Sequence, residues 1–314
     1  MRRKVPAQVR LKKFLWVVLP GVLILLAGLA VFLGLSVYRI THPAPAQESA
    51  NPSLFLLPAQ DVRWTSTDGT EFAGWWIAGP SDSAPGIILA PGYGMNRADA
   101  LSLALLLREN GFHLLIYEQR GCGAATERKS TLGLLETDDM QAALDFLLAR
   151  PGVNRERAGI WGVDIGARAA LMVGAARSQV RAIAADSPYD RIFDFLAVKM
   201  REELGSDNRL LALAMWQAFR LYMIDSKGSF NAQIPVESLS DRNILFIQGE
   251  NRPEIAPLVT RLYSRLQPQK EMLFLPGARA HVMTAESLKD YNRHVANFFM
   301  SNLPLNPIPP REPR

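Results

Sequence analysis

Asp164 sits between two glycines in Gly162-Val-Asp-Ile-Gly166, where a short apolar stretch gives way to an alanine-rich one. The spacing G-x-D-x-G marks a strained strand-to-helix turn that lifts one side chain above a sheet, and serine is the usual occupant of that place. Aspartate there is already ionised near neutral pH. Its carboxylate can attack an alkyl carbon bearing a good leaving group, and an activated water then hydrolyses the resulting ester. Attack on an ordinary ester or amide would instead give an anhydride, with no proton shuttle for the first step. The side chain can also be purely structural, accepting hydrogen bonds from the N-terminus of the helix that follows. His281, one of four histidines, lies in the late loop Pro276-Gly-Ala-Arg-Ala-His281.

These residues need a scaffold, and strand and helix patterns alternate from Gly86 onward. Strands are predicted at Gly86–Ala90, Phe112–Tyr117, Ala158–Trp161, Val180–Ala185, Asn243–Gln248 and Glu271–Leu275. Helices are predicted at Ala98–Asn110, Glu136–Ala149, Ala167–Ala176, Ala256–Leu266 and Tyr291–Met300. That rhythm predicts an α/β fold with a mostly parallel, doubly wound sheet. Upstream, Val62–Ser66 and Glu71–Ile77 read as a hairpin turning at Asp68-Gly69. Trp75 and Trp76 are expected to pack on the sheet. Residues 189–240 break the rhythm as a helical insertion, expected over the strand ends where ligands of open α/β sheets bind.

The chain has 314 residues and a formal net charge of +5. The excess is local: residues 1–13 carry Arg2, Arg3, Lys4, Arg10, Lys12 and Lys13 without an acid, and the remainder is close to neutral. The body therefore carries no basic footprint for nucleic acid. Zinc-type Cys/His spacing is absent, and neither a metal nor another cofactor is expected. Cys122 is the only cysteine and reads as a small residue in a tight turn. Phe14 to Tyr38 is an uncharged run of 25 residues, long enough to span a bilayer as a helix. The basic cluster before it predicts a single-pass protein with a cytoplasmic N-terminus and an external body. A cleaved signal peptide with an A-x-A site at Ala44-Pro-Ala46 is the rival, but the apolar run exceeds a signal core of about 7–15 residues. The expected organisation is a basic segment 1–13, a span 14–38, a linker 39–54, the α/β domain 55–303 and a proline-rich tail 304–314.

Five blocks in order resemble the α/β-hydrolase superfamily over roughly Val62 to Asn302, most like membrane-anchored or secreted serine hydrolases of the prolyl-oligopeptidase and esterase type. They are Pro91-Gly-Tyr-Gly94, Glu118-x-Arg120-Gly121-x-Gly123, Gly133-x-x-Glu136-x-x-Asp139, Gly162–Gly166 and His281. The resemblance implies that Asp164 takes the nucleophile's place, that His281 is the base, and that the backbone N–H groups of Tyr93 and Ile165 form the oxyanion hole. The orienting acid falls in Gly249-Glu-Asn-Arg-Pro-Glu-Ile-Ala-Pro257, where its expected position is Arg252, or Pro253 with one inserted residue. Glu254, Glu250 and Asp186 are the alternatives, as is no acid at all. Pro91, Glu118 and Ala125 replace the His, Asp and Ser that such proteins usually carry.

Aspartate nucleophiles occur in the haloalkane dehalogenases and epoxide hydrolases of this superfamily, but their accompanying His-Gly-x-Pro and Asp-Trp patterns are missing. Two functions stand side by side. One is an external hydrolase of a small molecule or peptide acting through Asp164 and His281. The other is a pseudoenzyme that keeps the fold and binds a ligand or partner at the membrane surface.

Overall fold

The computed structural model describes residues 7–44, 50–122, 129–249, 252–266, 270–275 and 283–305, with only the backbone at 7–15 and 17. The first element, helix α1 (Ala7–Thr41), carries Pro20 in its interior. Its segment Val18–Thr41 is long and apolar enough to cross a membrane.

Eight strands follow: β1 (Ala59–Thr65), β2 (Glu71–Ile77), β3 (Ala84–Ala90), β4 (His113–Tyr117), β5 (Val153–Val163), β6 (Val180–Asp186), β7 (Asn243–Gly249) and β8 (Glu271–Leu275). They form one sheet in the order β1-β2-β4-β3-β5-β6-β7-β8. Strand β2 runs antiparallel to β1 and β4, and all other neighbours are parallel. The β1–β2 turn closes as Asp68-Gly69 predicts: Gly69 takes φ +89°, a conformation cheap only for glycine. Both Trp75 and Trp76 are buried.

The helices are α2 (Leu101–Glu109), α3 (Glu136–Leu148), α4 (Ile165–Ala176), α5 (Ile192–Leu204), α6 (Arg209–Tyr222), α7 (Ala256–Arg265) and α8 (Ala285–Asn302). Alternation along each strand sends successive side chains to opposite faces. Ile88, Ala90 and Ile160 enter one core with α3, α4 and the α5–α6 insertion. Ile87, Leu89, Trp161 and Val163 enter the other, with α2 and α8.

Two boundaries differ from expectation. Helix α8 begins at Ala285 rather than Tyr291, because the Thr284 side chain accepts from the Ser287 N–H and caps it. The expected linker 39–54 does not start where the uncharged run ends. Helix α1 continues to Thr41, and Ser36, Val37, Ile40 and Thr41 are buried in the α/β body. The main-chain carbonyl of Thr41 accepts from Ser130 N–H at 2.8 Å. At the other end, Arg157 donates to the carbonyls of Pro304 (2.6 Å) and Leu305 (3.2 Å), so these residues dock on the body; the rest of the expected tail lies outside the described residues.

Candidate active site at the β5–α4 elbow

Parallel pairing brings the C-terminal ends of β3, β5, β6 and β7 side by side. Ala90 lies beside Gly162, Val163 beside Asp186, and Asp186 beside Ile247. The loop Pro91–Gly94, the elbow residue Asp164, Asp186 and Arg252 therefore meet at one edge of the sheet. Asp164 has φ 40°, ψ −100°, a sparsely populated conformation that costs about 1–3 kcal/mol and persists only where its surroundings enforce it. The flanking glycines make the turn possible. A Cβ on Gly162 would come within 2.4 Å of the Gly166 backbone, and one on Gly166 within 2.5 Å of the Ala90 carbonyl oxygen. Asp164 N–H donates to the Asp186 carbonyl at 2.9 Å, which ties the elbow to β6.

The Asp164 side chain is fully buried and both oxygens are engaged. Oδ2 accepts from Arg252 Nη1 at 2.6 Å. Oδ1 accepts from Tyr93 N–H at 3.3 Å. Gly92 lets the carboxylate in: a Cβ there would stand 2.5 Å from Oδ1. Arg252 is itself only 8% exposed. Burial alone would lower its pKa, but the Asp164 carboxylate outweighs burial and holds the guanidinium above its ordinary value.

A second buried cation stands over this pair. Lys199 Nζ lies 4.3 Å from the Tyr93 ring centroid and 5.1 Å from that of Phe195, within cation–π range. It donates to Glu202 Oε2 at 2.7 Å, while Glu202 Oε1 is 3.9 Å from Arg252 Nη2. Burial lowers the Lys199 pKa, and Asp164 and Glu202 oppose that shift. The two buried cations are thus balanced by buried Asp164 and by Glu202 at the solvent edge, which spares the site an unpaired buried charge. Asp186 completes the edge. It is fully buried and accepts from Ser187 Oγ (2.9 Å) and Tyr291 OH (2.7 Å); burial pushes its carboxyl up to about 7.

The sequence pattern of the α/β-hydrolase fold matches residues 85–299. The chain belongs to the α/β-hydrolase fold family. Among curated relatives, the uncharacterized protein YfhR of Escherichia coli O157:H7 is 28% identical over 254 residues, covering 78% of this chain and 82% of the relative. A polyketide transferase, GrgF of Penicillium, is 29% identical over 205 residues, 62% of this chain and 68% of that protein. Among solved structures, an esterase of Pyrococcus furiosus superposes with TM-score 0.63 at 17% identity, over 84% of this chain and 99% of the esterase.

Within this hydrolase fold, the expected site residues divide. Asp164 stands at the elbow, and Ile165 opens α4 directly behind it. The Tyr93 backbone N–H, which the resemblance assigns to an oxyanion hole, donates to the Asp164 carboxylate. Arg252, at the position where the resemblance expects the orienting acid, carries the opposite charge and pairs with Asp164. Glu254 is half-buried and faces α5 and α6 beside Ala197, Arg201 and Asp207. His281, Glu250 and Ala125 lie outside the described residues. Cys122 is buried, and burial pushes its thiol up to about 12, as befits an inert residue in a turn.

Sequence reasoning missed Lys199, because nothing in a helical insertion marks which charge turns inward, and with it the exposed Glu202 that pairs with it. It also missed Arg168, a fully buried cation in an alanine-rich helix. Arg168 donates to the carbonyls of Asp190 (3.1 Å), Gly133 (2.7 Å) and Ala232 (2.8 Å). The Gly133 block is structural as well. Glu136 accepts from the Thr131 N–H (2.8 Å) and the Gly133 N–H (2.7 Å), and Arg120 Nε pairs with Asp139 Oδ2 at 2.5 Å.

Proposed function

We propose that this α/β-hydrolase-fold protein is a membrane-anchored binding module whose elbow has been converted from a nucleophile position into a structural ion pair. The observation that carries this is the double engagement of Asp164, with one oxygen on the Arg252 guanidinium and the other on the Tyr93 N–H. A nucleophilic carboxylate needs an accessible lone pair aimed at substrate; Asp164 is fully buried, and a guanidinium at 2.6 Å draws off its charge. The Tyr93 N–H is one of the two donors that would hold an oxyanion. In this arrangement it is bonded to the side chain that replaced the serine. The charge reversal at Arg252 supports the same reading: Arg252 cannot orient a histidine base as an acid does, but it balances a buried aspartate. Helix α1 is read as an uncleaved single-pass anchor, with the N-terminus cytoplasmic and the α/β body outside.

The competing reading is a hydrolase that forms a covalent alkyl ester on Asp164. One experiment separates the two. The full chain in nanodiscs is assayed against esters, peptides, epoxides and haloalkanes, and Asp164→Asn is compared for turnover and stability. The expected result is no turnover above background from either protein. Asp164→Asn should lose about 3 kcal/mol of stability, because the buried Arg252 charge loses its close carboxylate and keeps only Glu202 at 3.9 Å. Turnover abolished in Asp164→Asn, with a substrate-derived adduct on the Asp164 peptide in the unaltered protein, would falsify the binding-module reading.

A further inference from the structure

Outside α1, exposed large apolar side chains concentrate on α6 and the turn after it. Leu210 is 77% exposed, Leu213 42%, Leu221 69% and Ile224 69%. At the 100° step of a helix these four fall on one stripe, with Gln217 between them. The opposite face, Ala212, Met215, Phe219 and Met223, is buried in the core. An amphipathic surface helix normally turns charge outward, but α6 is apolar on both sides. Its sequence RLLALAMWQAFRLY contains no acid, and its only charges are Arg209 and Arg220 near the two ends, both exposed.

The position of α6 supplies the occupant. It packs against the last turns of α1, where the Tyr222 ring meets His42 at 6.4 Å between centroids. Burial of α1 in the body begins at Ser36, while Trp16 and the large apolar residues through Leu35 are mostly exposed. A span of about 20 residues ending at Leu35 fills the hydrocarbon core. From Leu35 to Thr41 the helix rises only about 9 Å, less than the depth of a headgroup layer plus one helix. The α1–α6 contact is therefore at headgroup level. Beside the stripe, Phe193, Trp216 and Phe230 line an open groove of about 450 Å³ that Arg191 and Arg209 flank. Arg191 is paired with Asp194 at 2.6 Å, whereas Arg209 and Arg220 stand exposed on a helix that carries no acid of its own. Aliphatic side chains, an aromatic groove and arginines at the helix ends are the composition of a helix that lies in an anionic membrane interface.

We propose that the outer face of α6 lies in the membrane interface beside the anchor, with Leu210, Leu213, Leu221 and Ile224 in the acyl boundary and Arg209 and Arg220 on anionic headgroups. This rests on the reading that α1 spans the bilayer, and it assigns the surface that reading leaves open. The α/β body is thereby seated on the membrane rather than tethered above it.

The test uses the full chain in phosphatidylglycerol nanodiscs, in a Cys122→Ala background. A single fluorescent NBD label is placed in turn on Leu213→Cys, Leu221→Cys, Leu25→Cys and Ser264→Cys, and quenching by nitroxide-bearing lipids is read. Leu25 reports the anchor, and Ser264, exposed on α7, reports water. Positions 213 and 221 are expected to be quenched at least about threefold more than 264, and about threefold less in phosphatidylcholine alone. Quenching at 25 with none at 213 and 221 overturns the proposal and leaves the anchor standing. No quenching at 25 removes the anchor and the proposal together. Protection of 213 and 221 from aqueous iodide without lipid quenching assigns the face to a second copy and also overturns the proposal. Equal quenching in both lipids overturns the arginine–headgroup contacts.

Discussion

Asp186 shows at the scale of one residue how the site edge is held. Its carboxyl has no exposure, and its two donors are fixed in turn: Trp161 Nε1 donates to Tyr291 OH at 2.9 Å, and Tyr291 donates onward to Asp186. Burial raises its pKa from 3.8 to about 7, against the pull of those donors and of Arg252. The unfolded chain releases this proton near pH 4. Between about pH 4 and 7 the native state therefore binds one more proton than the unfolded state, so stability falls as pH rises. The contribution is present below that window, falls by about 1.4 kcal/mol per unit across it, and is gone above it, for at most about 4 kcal/mol. Urea unfolding from pH 4.5 to 8 should show this slope, and Asp186→Asn, which mimics the neutral acid, should flatten it and be the more stable protein at pH 8. An unchanged slope in the variant would place the titration elsewhere. The sequence offered Asp186 only as a candidate orienting acid. Its burial depends on α8 packing across β6, a contact of high sequence separation that no local pattern encodes.

Strands and most helices were legible element by element, because apolar runs bounded by glycine and proline leave little choice of period. Strand β5 was read short, since Asn154, Arg155, Glu156 and Arg157 carry no apolar alternation, although they extend the strand. The 189–240 insertion was legible as helical but not in its attachment. What attaches it is Arg168, whose three bonded carbonyls belong to the insertion at Asp190 and Ala232 and to the loop at Gly133. Arg168→Met keeps the length and removes every donor, leaving buried carbonyls that cost about 1–3 kcal/mol each when unpaired. The variant should lose about 3 kcal/mol or more of stability. Under native conditions, limited proteolysis should cut first between residues 189 and 240. A variant destabilised to that degree but cut no faster in this segment would show that Arg168 supports α4 alone and not the insertion.

Across the whole molecule, helix α1 and the α/β body share one core. The uncharged run of α1 was visible in the sequence as a span, and the residues after it were read as a linker because Pro and Ala follow closely. Hydropathy cannot separate lipid-facing from protein-facing apolar residues, so the burial of Val37 and Ile40 was invisible. Tyr93 makes the junction specific: its N–H holds Asp164, and its hydroxyl donates to the Ile40 carbonyl at 2.8 Å. The end of α1 thus touches a residue that is hydrogen-bonded to the elbow carboxylate. Removing methyl groups from Val37 or Ile40 should therefore act on the body and not only on the span. Val37→Ala and Ile40→Ala, each in the full chain in nanodiscs, should lower the denaturant midpoint of the body's tryptophan signal. The expected loss is about 1–2 kcal/mol for Val37 and about 2–4 kcal/mol for Ile40. Leu29→Ala, at a 46% exposed position of the same helix, should leave the midpoint unchanged. Equal midpoints in all three variants would mean that α1 adds nothing to the stability of the body. A shift confined to Val37 and Ile40 would mean that the last turns of α1 are part of the folded body that holds the Asp164–Arg252 pair.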